Sequence, residues 1–211
     1  MLKFGLSALL LALSTHIVFL PGMALGNLGQ SPDENGSRLD QRYEYVLLAT
    51  NKTSTMQKEI AETADAGFRV VAVMGGETSF GGSEVVVVMS RDPEIPAVGR
   101  YQYKLLATSK TSTMQKELQE AGEEGYGYQG QTVFKTTFGG KETVLILERD
   151  HNDTSLHRYE YKLLATKKTS TMENELREAG DAGLKLVGLT VGSTTFGGEE
   201  LVSILLRRVE D

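Results

Sequence analysis

Three copies of Lys-Thr-Ser-Thr-Met, at residues 52–56, 110–114 and 168–172, hold the side chains best suited to chemistry. Free N–H groups at a helix start, with hydroxyls and an ammonium nearby, form an anion site in outline. Lys52, Lys110 and Lys168 would supply the charge, and Ser54, Ser112 and Ser170 the hydroxyl donors. A competing reading is structural. Ser54 stands three residues before Gln57, Ser112 before Gln115 and Ser170 before Glu173, the spacing of a capping box. A capping hydroxyl is already occupied as an acceptor, which favours the structural reading. No Gly-rich run precedes the lysines, so the stretch is not a phosphate-binding loop.

The remaining candidates are weaker. Thr78, Thr136 and Thr194 each open a stretch that ends in Phe-Gly-Gly, at Phe80, Phe138 and Phe196. These could rim a ligand, but paired glycines between strands more simply supply the positive φ of a hairpin. The Tyr-x-Tyr pairs that open the three repeats take six of the eight tyrosines and read as core aromatics. His16 lies near the start of the chain, and His151 and His157 are six apart in a linker. Two histidines fall short of a zinc site and have no nucleophile arranged with them. There is no Cys, which removes disulfides, thiol catalysis and thiolate metal sites. No catalytic residue, metal ligand set or cofactor is expected. The net charge is −6, and residues 43–92, 101–150 and 159–208 carry −3, −1 and 0 by charged-residue count. That is no footprint for a nucleic acid.

These motifs recur every 58 residues, so the chain is a triplicated module. Residues 1–26 carry Lys3, an apolar block from Phe4 to Leu13, the break Pro21-Gly22, and small residues at Ala24 and Gly26. That is the pattern of a cleaved secretory signal peptide, and it places the mature protein in the periplasm or outside the cell. The absent Cys excludes a lipoprotein anchor, and no membrane attachment is expected after cleavage. Residues 27–42 are polar and turn-rich and read as a disordered leader. Repeat 1 spans 43–92, repeat 2 spans 101–150 and repeat 3 spans 159–211, joined by linkers at 93–100 and 151–158.

Each repeat opens with a strand of period two, as in Tyr43, Tyr45, Leu47 and Ala49 against Glu44, Val46, Leu48 and Thr50. An amphipathic helix follows, with a stripe such as Met114, Leu118 and Ala121, and stops at Gly67, Gly125 or Gly183. A hairpin of two strands completes the unit. Its second strand is apolar on both faces, as in Val85 to Met89, which marks a central strand. The expected fold is α+β, with three tandem β-α-β-β repeats. Each forms a three-stranded antiparallel sheet of order 1-3-2 with one helix, and the sheets pack on one another. The helix is expected over the Tyr-bearing face of its own sheet. The other face would be apolar and in need of cover, with Gln129 and Gln131 making repeat 2 the wettest.

Tyr159 to Leu164, Leu176 to Leu186 and Ile204 to Arg207 carry a likeness to a known family. Repeat 3 resembles the small bacterial domain of unknown function 4177, and repeats 1 and 2 match the same outline. The family's usual Trp after the helix-ending Gly is replaced by Phe68, Tyr126 and Leu184. The resemblance implies a β-α-β-β fold and brings no catalytic residue. The expected function is a non-enzymatic interaction or scaffold module, with a protein partner or self-association through an apolar sheet face. The alternative is a small-ligand or anion-binding protein using the helix N-termini and the Phe-Gly-Gly turns.

Overall fold

A computed structural model describes residues 42–78, 82–135, 141–155, 157–193 and 199–209. The signal-peptide and leader expectations, apart from Arg42, fall outside the described residues, as do most of the Phe-Gly-Gly turns. Repeat 1 contains β1 (Glu44–Thr50), α1 (Thr53–Asp65), β2 (Arg69–Thr78) and β3 (Gly82–Arg91). Repeat 2 contains β4 (Tyr101–Thr108), α2 (Thr111–Glu123), β5 (Gly127–Lys135) and β6 (Lys141–Asp150). Repeat 3 contains β7 (Arg158–Thr166), α3 (Thr169–Asp181), β8 (Lys185–Ser193) and β9 (Glu199–Val209). The sheets run β1-β3-β2, β4-β6-β5 and β7-β9-β8, antiparallel throughout, which is the expected order 1-3-2.

The strand-to-helix turn is built by the last Thr of each first strand. The hydroxyls of Thr50, Thr108 and Thr166 accept from the backbone N–H of Lys52, Lys110 and Lys168 at 3.2, 3.2 and 3.3 Å. Those lysines are the N-cap residues, extended and without a side-chain cap bond. The capping boxes are therefore not formed: Ser54, Ser112 and Ser170 are the second residues of their helices, two past the cap. The first helical bond of each runs from the Met56, Met114 or Met172 N–H to the lysine carbonyl, at 3.0 Å.

The helix ends follow the sequence closely. Gly67, Gly125 and Gly183 take φ of 91°, 87° and 80°. Phe68 N–H donates to the Thr63 carbonyl and Gly67 N–H to Ala64, a Schellman stop that repeats in α2 and α3. A second device was not anticipated. Arg91, Arg149 and Arg207, late in the third strand of each repeat, donate to the C-cap carbonyls of Ala66, Glu124 and Ala182 at 3.0, 3.1 and 2.8 Å. A cation there also offsets the helix dipole.

Every second strand carries a bulge, at Val71, Gln129 and Val187. Its freed polar groups are met by the next repeat in the first case. Val70 N–H donates to the Tyr103 hydroxyl at 2.9 Å, and the Gln129 amide donates to the Val70 carbonyl at 2.6 Å.

The helix covers the opposite face from the one expected. The register aligns Val46 with Met89 and Leu48 with Val87, and α1 packs over that face through Met56 and Ile60. The Tyr-bearing face is covered by the helix of the preceding repeat instead. Tyr101, Tyr103, Leu105, Val144 and Ile146 of repeat 2 join the core of α1. Tyr159, Tyr161, Leu163 and Ile204 of repeat 3 join the core of α2. Period-two alternation shows that a strand has two apolar faces, but not which neighbour covers each. The sheets also meet directly, β2 against β5 and β5 against β8. Among the described residues, no helix is long and apolar enough to cross a membrane.

Candidate functional site

The functional geometry lies in the head-to-tail junctions and in the two ends that lack one. At the first junction the Gln57 side chain spans the outer edge of β4. Its amide donates to the Tyr103 carbonyl at 3.1 Å, and its oxygen accepts from Leu105 N–H at 2.6 Å. Gln115 treats β7 identically, donating to the Tyr161 carbonyl at 2.9 Å and accepting from Leu163 N–H at 2.7 Å. One amide thus replaces a neighbouring strand and satisfies an edge that would otherwise be open. Both glutamines are thus used outward, while the capping boxes fail in all three repeats because a Lys and not the Ser stands at the cap. The third repeat has Glu173, which cannot donate to a carbonyl; it pairs with Arg177 at 3.1 Å.

The junctions also need close approach. A Cβ built on Gly122 of α2 would lie 2.2 Å from the Tyr159 carbonyl oxygen. One on Gly130 would meet the Val73 side chain at 2.7 Å, and one on Gly188 the Gln131 amide oxygen at 2.4 Å. The two amide atoms of half-buried Gln131 are buried there, and neither is hydrogen-bonded. The expectation that it lies on a wet face is therefore reversed.

Among the described residues, nothing equivalent covers the ends. Tyr103 and Tyr161 are 7% and 3% exposed, whereas Tyr45, their counterpart in β1, is 66% exposed and Leu47 is 65% exposed. At the far end Leu189, the counterpart of Val73 and Gln131, is 58% exposed, with Leu186 and Val191 bare beside it.

The first junction adds a polar cluster. Arg69 binds the Glu148 carboxylate with two nitrogens, at 2.7 and 3.0 Å, and Tyr103 donates to the same carboxylate at 2.6 Å. Burial first, then the Glu148 charge, raises the Tyr103 hydroxyl pKa, and burial pushes Tyr128 up to about 12. Alongside, Arg100 binds Asp150 at 2.7 and 2.9 Å and holds its carboxyl below the ordinary range. Arg69, Tyr128, Glu148 and Asp150 border a polar cleft of about 760 Å³, lined also by Glu124, Asp153 and His157.

Asp153, Ser155 and His157 form a local cluster in the second linker. The Ser155 hydroxyl contacts both Asp153 and the His157 Nε2, and Asp153 lies 2.9 Å from that same nitrogen. A catalytic triad places carboxylate and nucleophile on different ring nitrogens; here both crowd one. Bonds from Ser155 hold the Asp153 carboxyl below its ordinary range.

The six anion-site candidates are not brought together. Lys52 with Ser54, Lys110 with Ser112, and Lys168 with Ser170 are exposed at three separate helix starts. A small pocket of about 10 Å³ beside α2 is lined by Thr108, Ser109 and Thr111, but not by Lys110 or Ser112. Among the described residues, no group of three His, Asp or Glu is placed to hold a metal ion. The residues that sequence reasoning missed are Gln57, Gln115, Gly122 and Glu148. The one sequence signal was Glu173 standing where its two counterparts are Gln.

Comparison of the chain with protein-family models, with curated proteins and with solved structures finds no match.

Proposed function

We propose that the protein is an exported, non-enzymatic interaction or scaffold module whose partner-facing surfaces are the two open ends of the repeat stack. One observation carries this: the positions that the two internal junctions cover are apolar and bare at the ends, Tyr45 and Leu47 on β1 and Leu189 on β8. Contiguous apolar surface of this kind marks interaction sites on soluble proteins. Native mass spectrometry of the protein taken gently from its own compartment tests the reading, with Tyr45→Ser/Leu189→Ser run beside it. The expected result is a mass above one chain for the wild type and one chain for the variant. A bare single-chain mass for both overturns it.

A second reading, binding of a small polar ligand, is favoured by the cleft bordered by Arg69, Glu124, Glu148 and His157 rather than by the helix starts. In the same experiment it appears as a small adduct on a single chain.

A further inference from the structure

We propose that both open ends are occupied by further copies of this chain, with α3 of one copy docking on β1 of the next. The proposal rests on the interaction-module reading and names its partner.

Four observations point to it. Both internal junctions bring a helix and a Tyr-x-Tyr-x-Leu strand together, 58 residues apart in sequence. The described residues hold three such helices and three such strands but make two such junctions, leaving α3 and β1 over. Second, Gly180 is the counterpart of Gly122, yet a Cβ built on it meets nothing within 4 Å. Glycine is a poor helix former, and in α2 its role is to admit the backbone of the docking strand. In α3 that place is empty, and the strand chemistry fitting it is that of β1. Third, the two ends are complementary halves of one interface. Leu189 repeats the inserting position of Val73 and Gln131, while exposed Ala72 repeats the receiving position of Gly130 and Gly188. Fourth, the third set departs from the other two at Glu173 in place of Gln and at Ala72 in place of Gly. Both changes weaken the junction without removing its apolar part, as suits one formed reversibly between molecules.

Such a contact is heterologous. It yields a ring if the rotation closes and an open chain of molecules if it does not.

The test places a photoreactive phenylalanine analogue at position 45 in the full chain, in whatever processed form the cell leaves it. Illumination is followed by peptide mapping, and sedimentation velocity is run over a concentration series. The expected product has the mass of two or more chains and joins position 45 to residues 173–180 of another copy. Glu173→Gln restores the amide and tightens self-association about tenfold. Gly180→Arg abolishes self-association while the melting of the single chain is retained. A cross-link to α3 within one chain overturns the proposal, since the stack then closes on itself. A cross-link to a different protein overturns it but leaves the interaction-module reading standing. No cross-link, with single-chain sedimentation at every concentration, defeats both. Self-association unmoved by either substitution places the contact elsewhere and also overturns it.

Discussion

Gly122 and Gly180 occupy the same helical position in consecutive repeats, and the architecture predicts opposite responses to one substitution. In an unobstructed helix, Gly→Ala stabilises by up to about 1 kcal/mol, by limiting the unfolded chain and improving propensity. At Gly180 nothing lies within 4 Å of the new methyl, so Gly180→Ala should realise most of that gain in the single chain. At Gly122 the methyl would stand 2.2 Å from the Tyr159 carbonyl oxygen and 2.9 Å from the Tyr161 ring. The first contact is with backbone, so relief requires β7 to move and the Gln115 bonds to lengthen. That belongs at the upper end of the ~1–3 kcal/mol range for overpacking, leaving a net loss of about 2 kcal/mol after the propensity gain. For a chain of this size 1 kcal/mol corresponds to about 2–4 °C in Tm. Gly180→Ala should therefore melt about 2–4 °C above the wild type and Gly122→Ala about 4–8 °C below it. Differential scanning calorimetry at a concentration where the protein sediments as one chain would read both. Equal or raised stability for Gly122→Ala would refute the close approach of α2 to β7, and with it the head-to-tail description. Lowered stability for Gly180→Ala would show that α3 is already covered.

Gln115→Ala strands the Tyr161 carbonyl and Leu163 N–H at the β7 edge and should cost about 1–3 kcal/mol in urea unfolding; Gln115→Glu should cost a similar amount at neutral pH. Glu148→Gln weakens the charged bonds of Arg69 and Tyr103, for a loss of about 1–2 kcal/mol that a double-mutant cycle with Arg69→Met should show to be coupled. Gln131→Leu replaces two unpaired buried polar atoms with an apolar side chain and should stabilise by about 1–3 kcal/mol, read as a higher urea midpoint at unchanged slope. Burial raises the Tyr103, Tyr128 and Tyr161 hydroxyl pKa values, Tyr128 to about 12. Their stabilising contribution is fully present below about pH 10, the ordinary phenol value, and is lost as pH rises through the raised values. Phenolate absorbance from these residues should thus appear together with alkaline unfolding, and ionisation of all three in a chain still showing native near-ultraviolet dichroism would contradict their burial.

Much of the single repeat was readable from the chain because local physics decides it. Two-sided apolarity in Val85 to Met89 and Val144 to Leu147 forces a central strand, and Gly67, Gly125 and Gly183 fix the helix stops. What was not readable depends on a second repeat. Tyr45, Leu47 and Ala49 form as plausible a core face as Val46 and Leu48, and no local signal says which faces its own helix. The start signal failed differently. Ser-x-x-Gln and Ser-x-x-Glu satisfy the capping-box spacing, but each helix has a Lys at its cap, two residues before the Ser, and Gln57 and Gln115 close a strand edge 48 residues away. Of the anion-site residues, the lysines bring their backbones to the turn and the serines stay exposed. The structure gives no packing reason for the identity of those side chains across the three copies.

Repetition itself carries information that no single copy holds. A position serving only the repeat's own fold should keep its chemistry in all three, as Met56, Met114 and Met172 do in the core. A position serving the junction should vary with the neighbour it meets. Position 57 and its counterparts read Gln, Gln, Glu, and the change falls in the copy whose helix meets no further repeat among the described residues. Position 64 and its counterparts read Ala, Gly, Gly, and here the last copy keeps the small residue although nothing in the same chain presses on it. Loss of the amide alone would describe a terminal repeat relaxing into a cap with a polar outer face, as terminal repeats of stacked proteins require. Retention of Gly180, together with bare Leu189 and Tyr45, runs against that. A finished cap would have exchanged the helix-weakening glycine for a better helix former and covered both apolar residues with charge, so these three residues support the proposal that the ends of the stack are weakened junctions rather than caps.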